Sequence, residues 1–353
     1  MTLPTEPIGS IPRPQALLDG IQAVAAGRIS ADELDSLYED AVRDTLRRFE
    51  ETGSPVVTDG EQRKPSFATY PVAGLANVGP GGVTIPFEDG HVRQLPVLTA
   101  APFRYATKAS SYLDAASGHT TGRLKQAVIS ASALSLLYPA DGLAGYPREA
   151  FLDDLVDEAA SEMRACIERG AIVQVDFTEA RLSIKLDPSK GLLGSFVDLN
   201  NRVLDRLTAD ERAHVGVHTC PGGDRDSTHS ADVDYAELLP ELFRMKVNTF
   251  YVQLASEADR ERVLRILGEH ATGERRIFVG VTDPIDPRIE TPDEVRDRVL
   301  QAARFIEPPH LGTTDDCGFS PFGDDTSTSR DTAFAKIRAR VDGTELASLA
   351  LGV

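Results

Sequence analysis

Residues 215–220 read Val215-Gly216-Val217-His218-Thr219-Cys220, an apolar run whose polar side chains come last. The same construction recurs along the chain. Ile172-Val173-Gln174-Val175-Asp176-Phe177 is nearly continuous apolar sequence with an acid near its end. Val56-Val57-Thr58 runs into Asp59-Gly60-Glu61, and 277–283 (IFVGVTD) ends on Asp283. Residues 126–130, 249–254 (TFYVQL) and 310–317 (HLGTTDDC), with a short first strand near Ile8-Gly9-Ser10, bring the set to eight. Each run is followed by a helix-like stretch, an alternation that argues for a parallel sheet.

Three of those helices carry their own signals. From Ala31 to Glu51 the apolar residues Leu34, Leu37, Ala41, Val42, Leu46 and Phe49 fall close to a 3.6-residue period, with Ser30 and Glu33 at capping-box spacing. Pro147 to Ile167 repeats the pattern, with Gly170 as its C-cap. Thr291-Pro292 opens a helix expected to reach about residue 305.

These elements predict an α/β fold, a (β/α)8 TIM barrel. The open doubly wound alternative usually carries a glycine-rich phosphate turn, and the chain has neither GxGxxG nor GxxxxGK[ST]. Residues 62–124 break the rhythm with Pro, Gly and short β-like pieces such as 82–86. They read as a hairpin insertion after the second strand, near the barrel mouth. No linker or repeat interrupts the 353 residues, so 1–353 is expected to form a single domain. A barrel gathers the C-terminal ends of its strands on one rim, which would bring together Ser10, Glu61, Asp176, His218, Cys220, Gln253, Asp283 and Cys317.

Composition narrows the partners. A net charge of −18 argues against nucleic acid and anionic membranes, which need a basic face. No apolar run approaches a membrane span, and the N-terminus lacks the features of a secretory signal. Three cysteines, at 166, 220 and 317, cannot build a disulfide framework, and a cytoplasmic location is expected. Cys166 sits on the apolar face of a helix and reads as core.

His218 and Cys220 are the sharpest chemical feature. At an extended strand end, residues i and i+2 point to the same side. Imidazole and thiolate can therefore reach one ion, and in a closed barrel Cys317 opens onto the same mouth. Two thiolates and one imidazole suit Zn²⁺ with an open position, the arrangement of catalytic zinc.

Five ordered motifs then carry a resemblance: Ile8-Gly9-Ser10-Ile11-Pro12-Arg13-Pro14, Asp59-Gly60-Glu61, Gln174-Val175-Asp176, His218-Thr219-Cys220 and Asp316-Cys317-Gly318. Together they resemble the catalytic barrel of cobalamin-independent methionine synthases, over nearly the whole chain. The related zinc enzymes that add coenzyme M to epoxides are also similar. The resemblance implies that His218, Cys220 and Cys317 are zinc ligands and that the metal holds a substrate thiol as a thiolate. It further implies that Ser10 holds the carboxylate of homocysteine, and Glu61 and Asp176 its ammonium. Two positions depart from the family. Where methionine synthases place a fourth ligand, a Glu, this chain has Gln253. After the seventh strand, where folate-using enzymes carry a proton-transferring His, it has Ile285, and Asp283 or Asp286 is the candidate catalytic acid in its place.

The reading that follows is a zinc-dependent S-alkyltransferase that activates a small thiol such as homocysteine toward a methyl donor. The missing His and the absence of Trp weigh against 5-methyltetrahydrofolate, and a methylcorrinoid is an alternative donor. A second reading is epoxide opening by coenzyme M or a similar thiol, with Arg13, Arg63, Arg93, Arg104 and Arg181 as candidate sulfonate anchors. A third is a non-catalytic zinc- or thiol-binding barrel. His229, just past the HTC motif, could line the site. The expected partners are a small-molecule thiol and an alkyl donor; self-association as a homo-oligomer stays open.

Overall fold

A computed structural model describes residues 2–87, 89–220 and 234–353. Its strands are β1 (Val56–Val57), β2 (Val78–Gly79), β3 (Thr84–Pro86), β4 (Val92–Gln94), β5 (Val97–Leu98), β6 (Arg123–Ile129), β7 (Ile172–Asp176), β8 (Val215–Thr219), β9 (Thr249–Val252), β10 (Arg276–Thr282) and β11 (Leu311–Asp315). Seven of them form one sheet in the order β1-β6-β7-β8-β9-β10-β11, with every neighbouring pair parallel. The sheet is curled and TIM-barrel-like. At its far edge Thr5 makes a parallel bridge to Thr313 of β11. Across the opening to β1, Thr58 Oγ1 donates to Gly9 O and Ile11 N to Gly60 O.

The N-terminal segment differs from the expected strand. Pairing occurs at Thr5, and Ile8-Gly9-Ser10 lies beyond it. Gly9 has φ +144°, a conformation closed to other residues, so the chain leaves the sheet there and turns Ser10 inward.

The helices follow their signals. Ala31–Glu51 is capped by the Ser30/Glu33 box and Pro292–Ala302 by a Thr291/Glu294 box. Pro147 is the N-cap of Arg148–Ile167, and Gly170 closes that helix with φ +79°. The region 62–124 holds two short antiparallel pairs, β2 with β5 and β3 with β4, and a helix at Ser110–Ser117. No described helix is long and apolar enough to cross a membrane.

Each long strand has one face in the helical core and the other inside the barrel. Val173, Val175, Val217, Phe250, Val252, Val279 and Val281 belong to the main apolar core with the helices. Inside, Tyr251 and Phe278 fill the space above glycines. A Cβ on Gly216 would lie 2.6 Å from Tyr251 Cε2, and one on Gly312 2.6 Å from Phe278 Cδ1. Below them Lys125 is buried, donating to Pro7 O at 2.8 Å, 3.4 Å from Glu6 and 3.4 Å above the Tyr251 ring. Burial lowers its pKa to about 8 despite Glu6. The filled layers close the barrel floor, so polar residues one or two positions further along each strand meet at the mouth.

Candidate functional site

Six of the sequence-predicted residues line one cavity: Ser10, Glu61, Asp176, His218, Cys220 and Cys317. Ile8, Phe67, Thr178, Gly318 and Pro321 complete its wall. Strand alternation explains the set. Gln174 and Asp176 point inward from β7, as does His218 from β8, with Cys220 two residues on.

The imidazole and the two thiols present donor atoms within 4.8 Å of one another. Cys220 Sγ and Cys317 Sγ are 2.9 Å apart, and neither cysteine is in a disulfide. The Cys317 thiol is pushed well above its usual range, first by its hydrogen bond to Cys220 and then by burial. Both ring nitrogens of His218 face acceptors, Nδ1 toward Asp176 Oδ1 at 3.2 Å and Nε2 toward Asp316 O at 3.3 Å. Burial works to lower its pKa, but Asp176 and Cys317 outweigh that and the net shift is upward. The cluster is therefore a buried acceptor-rich pocket of one nitrogen and two sulfurs that favours positive charge. A soft divalent ion in place of the ring proton and the thiol protons fits it.

Beside this cluster stands a second group of charges. Glu61 is held with φ +58°, an uncommon backbone state for a residue with a side chain. Asp59 Oδ1 accepts Glu61 N at 2.9 Å. Arg13 locks the turn from below: its guanidinium donates to the carbonyls of Glu61 (2.8 Å), Lys64 (2.6 Å), Ser320 (3.3 Å) and Phe322 (3.2 Å). The loop that follows Cys317 is thereby tied to the loop that carries Glu61. Lys64 Nζ pairs with Glu61 Oε1 at 2.8 Å in full burial. Burial raises the Glu61 pKa, Lys64 opposes that, and Asp176 raises it further. Lys64 and Arg13 thus face three acids, Asp59, Glu61 and Asp176. Ser10 Oγ accepts from Ser320 N at 3.2 Å, which leaves its proton to donate.

Other predicted residues lie apart. Gln253 is buried but does not line the cavity; its Nε2 donates to Ser256 Oγ at 2.6 Å, and its Oε1 has no partner. Asp283 also lies outside the lining, where Oδ1 caps Ile285 N at 3.0 Å. His229 falls outside the described residues. The five arginines considered as sulfonate anchors are engaged elsewhere: Arg13 with its four carbonyls, Arg63 with Asp35, Arg93 with Asp324, Arg104 with Asp154 and Arg181 with Glu257. Sequence reasoning missed Lys64, Thr178 and Phe67. Lys64 stands three residues after Glu61, a spacing that hints at a pair but does not bury it.

The family model described as "Cobalamin-independent synthase, Catalytic domain" matches residues 3–342. A methionine synthase of Sulfurisphaera tokodaii is 26% identical over 345 residues, covering 98% of this chain and 92% of its own length. One from Saccharolobus islandicus is 24% identical over 348 residues, covering 98% and 94%. Among solved structures, a B12-independent methionine synthase from Shewanella sp. W3-18-1, in complex with selenomethionine, superposes with a TM-score of 0.77. It is 19% identical and covers 99% of both chains, a likeness of fold.

Proposed function

The chain belongs to the family of cobalamin-independent synthase catalytic domains, and on that footing we propose that it is a zinc-dependent S-methyltransferase acting on homocysteine or a close small thiol. The observation that carries this reading is the single cavity that joins His218, Cys220 and Cys317 to Ser10, Glu61 and Asp176. His218, Cys220 and Cys317 would hold the zinc, whose chemistry when bound is to lower the pKa of a coordinated thiol. The unpartnered Oε1 of Gln253 is a candidate fourth contact.

The chain's own groups do the rest. Glu61 and Asp176 take the substrate ammonium, whose charge relieves the repulsion between them. Ser10 donates its hydroxyl proton to the substrate carboxylate. Asp176 also accepts from Gln174 Nε2 at 2.8 Å, which fixes the carboxylate that orients His218. Together these contacts fix both ends of the amino acid and point its thiol at the cluster, so that attack on the methyl carbon is directed. Residues 1–353 would act as one catalytic domain, with 62–124 covering the mouth. Cysteines outside any disulfide suit a reducing cytoplasm. The epoxide reading lacks an anchor, since none of the five arginines lines the cavity.

The test is zinc per chain, by elemental analysis of protein purified without added metal, followed by homocysteine binding. About one zinc is expected, lost in both Cys220→Ala and Cys317→Ala together with methyl transfer. Absence of zinc even after reconstitution, or full metal and turnover in both variants, refutes the assignment.

A further inference from the structure

The end of the barrel opposite the thiol site carries a cavity of its own, beneath the filled floor. Thr5 and Glu6 of the N-terminal segment, Arg123, Arg276, and Thr344 and Glu345 of the C-terminal helix (Arg330–Leu351) are among its lining residues. Arg123 opens β6 and Arg276 opens β10, and each stands two residues before a side chain that fills the barrel, Lys125 and Phe278. Strand alternation therefore turns both arginines inward. Three strands, β7, β8 and β9, separate β6 from β10 in the sheet, so the two side chains enter from facing walls. Both act on the ionisation of the Tyr251 hydroxyl inside the barrel, so they converge on one region.

Pairing sets these two arginines apart. Among the described residues, neither guanidinium has a hydrogen-bond or ion-pair partner, whereas the five arginines weighed for the mouth are all engaged. Both are exposed, so a ligand can reach them. The acids around them are mostly committed elsewhere. Glu6 lies 3.4 Å from Lys125 Nζ and accepts the Tyr251 hydroxyl. Asp315 lies 3.3 Å from Arg340, which is buried one helical turn before Thr344. Glu345 is exposed and is the acid of this wall that is left over. Arg123, Lys125, Arg276 and Arg340 thus stand against Glu6, Asp315 and Glu345, a positive surplus in a chain whose net charge is −18. Two like charges aimed into one space repel, and an anion between them removes that cost. The planar fork of a guanidinium matches two oxygens of a carboxylate or phosphate. Glu345 sets the limit: a second negative group on the ligand would meet it, so a single oxyanion fits and a polyanion does not.

We infer that the closed end of the barrel is a binding site for one small oxyanion, the carboxylate or phosphate of a metabolite, taken by Arg123 and Arg276. The site shares no residue with the cavity at the mouth, so it stands whether or not the thiol chemistry does.

The experiment titrates inorganic phosphate and, separately, acetate into the full chain at low ionic strength, with calorimetry as the readout. At least one of them should bind once per chain with a Kd of about 1 mM or tighter. Arg123→Gln and Arg276→Gln should each weaken that binding about 10-fold or more. Glu345→Gln, which removes a like charge, should tighten it about 2-fold or more. Arg260→Gln, which removes an arginine from a different surface cavity, should leave it unchanged. Arg123→Lys and Arg276→Lys keep the charge without the fork, lose less, and serve if a Gln variant does not fold. Tighter binding of phosphate than of acetate marks a phosphate-bearing ligand, and the reverse a carboxylate. No binding of either anion by about 10 mM overturns the inference. So does binding that survives the substitutions at Arg123 and Arg276, or that falls as much in Arg260→Gln.

Discussion

Removing the Asp316 carboxylate should loosen the proposed metal site without touching a proposed ligand. Oδ1 accepts Leu254 N and Ala255 N, each at 2.8 Å, while Oδ2 accepts Ser256 N at 2.8 Å and Ser256 Oγ at 2.9 Å. Asp316 is 3% exposed, so water does not share these contacts. The strand end that carries Cys317 is thus clamped to the loop that follows Gln253. Asp316→Ala leaves three backbone N–H groups without acceptors, at about 1–3 kcal/mol each. Burial pushes the Asp316 pKa up to about 7, so deleting a costly buried charge returns part of that loss, and the net expectation is about 3 kcal/mol. Asp316→Asn keeps one oxygen for Leu254 and Ala255 but turns an NH2 toward Ser256 N, so about 1–2 kcal/mol is expected. Gly280→Ala attacks the same carboxylate from β10, where a Cβ would stand 1.8 Å from Oδ1 and 3.1 Å from Asp316 Cα. Its cost should approach that of Asp316→Ala. Urea unfolding gives the energies, and metal retention against a chelator should fall in the same order. A loss under about 1 kcal/mol for Asp316→Ala, or Asn costing more than Ala, would refute the clamp.

Two further substitutions follow from buried charges. Glu162 Oε1 accepts Tyr70 Oη–H at 2.8 Å and Ala109 N at 2.7 Å, and burial raises its pKa to about 7. Between pH about 4.5 and 7 the folded chain holds this proton and the unfolded chain does not, so stability falls as pH rises through that window, by up to about 3 kcal/mol. Glu162→Gln keeps the accepting oxygen without the charge, and should match the wild type near pH 4.5 and exceed it by about 1–3 kcal/mol at pH 8. A difference in denaturation free energy that is the same at both pH values would sink that argument. Arg13→Met strips four carbonyls of a common donor and should cost about 2–4 kcal/mol in urea while weakening homocysteine binding. Unaltered binding would show that the Glu61 turn holds without it.

The His218–Cys220 pair was legible because its geometry is local: two residues apart at a strand end, on one side of a parallel strand. Cys317 needed the closed arrangement of strands to become a partner, and the alternation of short apolar runs with helices supplied that. What escaped was information carried only by burial. Lys64 and Glu179 are ordinary loop charges in the sequence; their weight comes from Tyr70 under one and Ser130 and Ser132 around the other, contacts between segments whose distance in sequence hides them. The first strand was misplaced because Ile8-Gly9-Ser10 looks extended, whereas the positive φ of Gly9 takes it out of the ladder. Asp283 illustrates the opposite hazard, since an acid at a strand end is also the residue best suited to cap the turn that follows.

The unmet carboxyl and amide oxygens gather near the mouth, an observation that does not depend on resemblance. Among the described residues, the buried carboxyl and amide oxygens without a partner are Asp59 Oδ2, Gln174 Oε1, Glu179 Oε2 and Gln253 Oε1. All four lie at or just beneath the C-terminal ends of the strands that surround the mouth. Buried acceptors are ordinarily satisfied, and each exception carries a cost of the order of 1 kcal/mol or more. A fold under selection for stability alone would replace them with apolar side chains, as it has in the helical core. Their shared deficit is of protons and positive charge. An ammonium or a cation bound at the mouth is the kind of partner that such acceptors take.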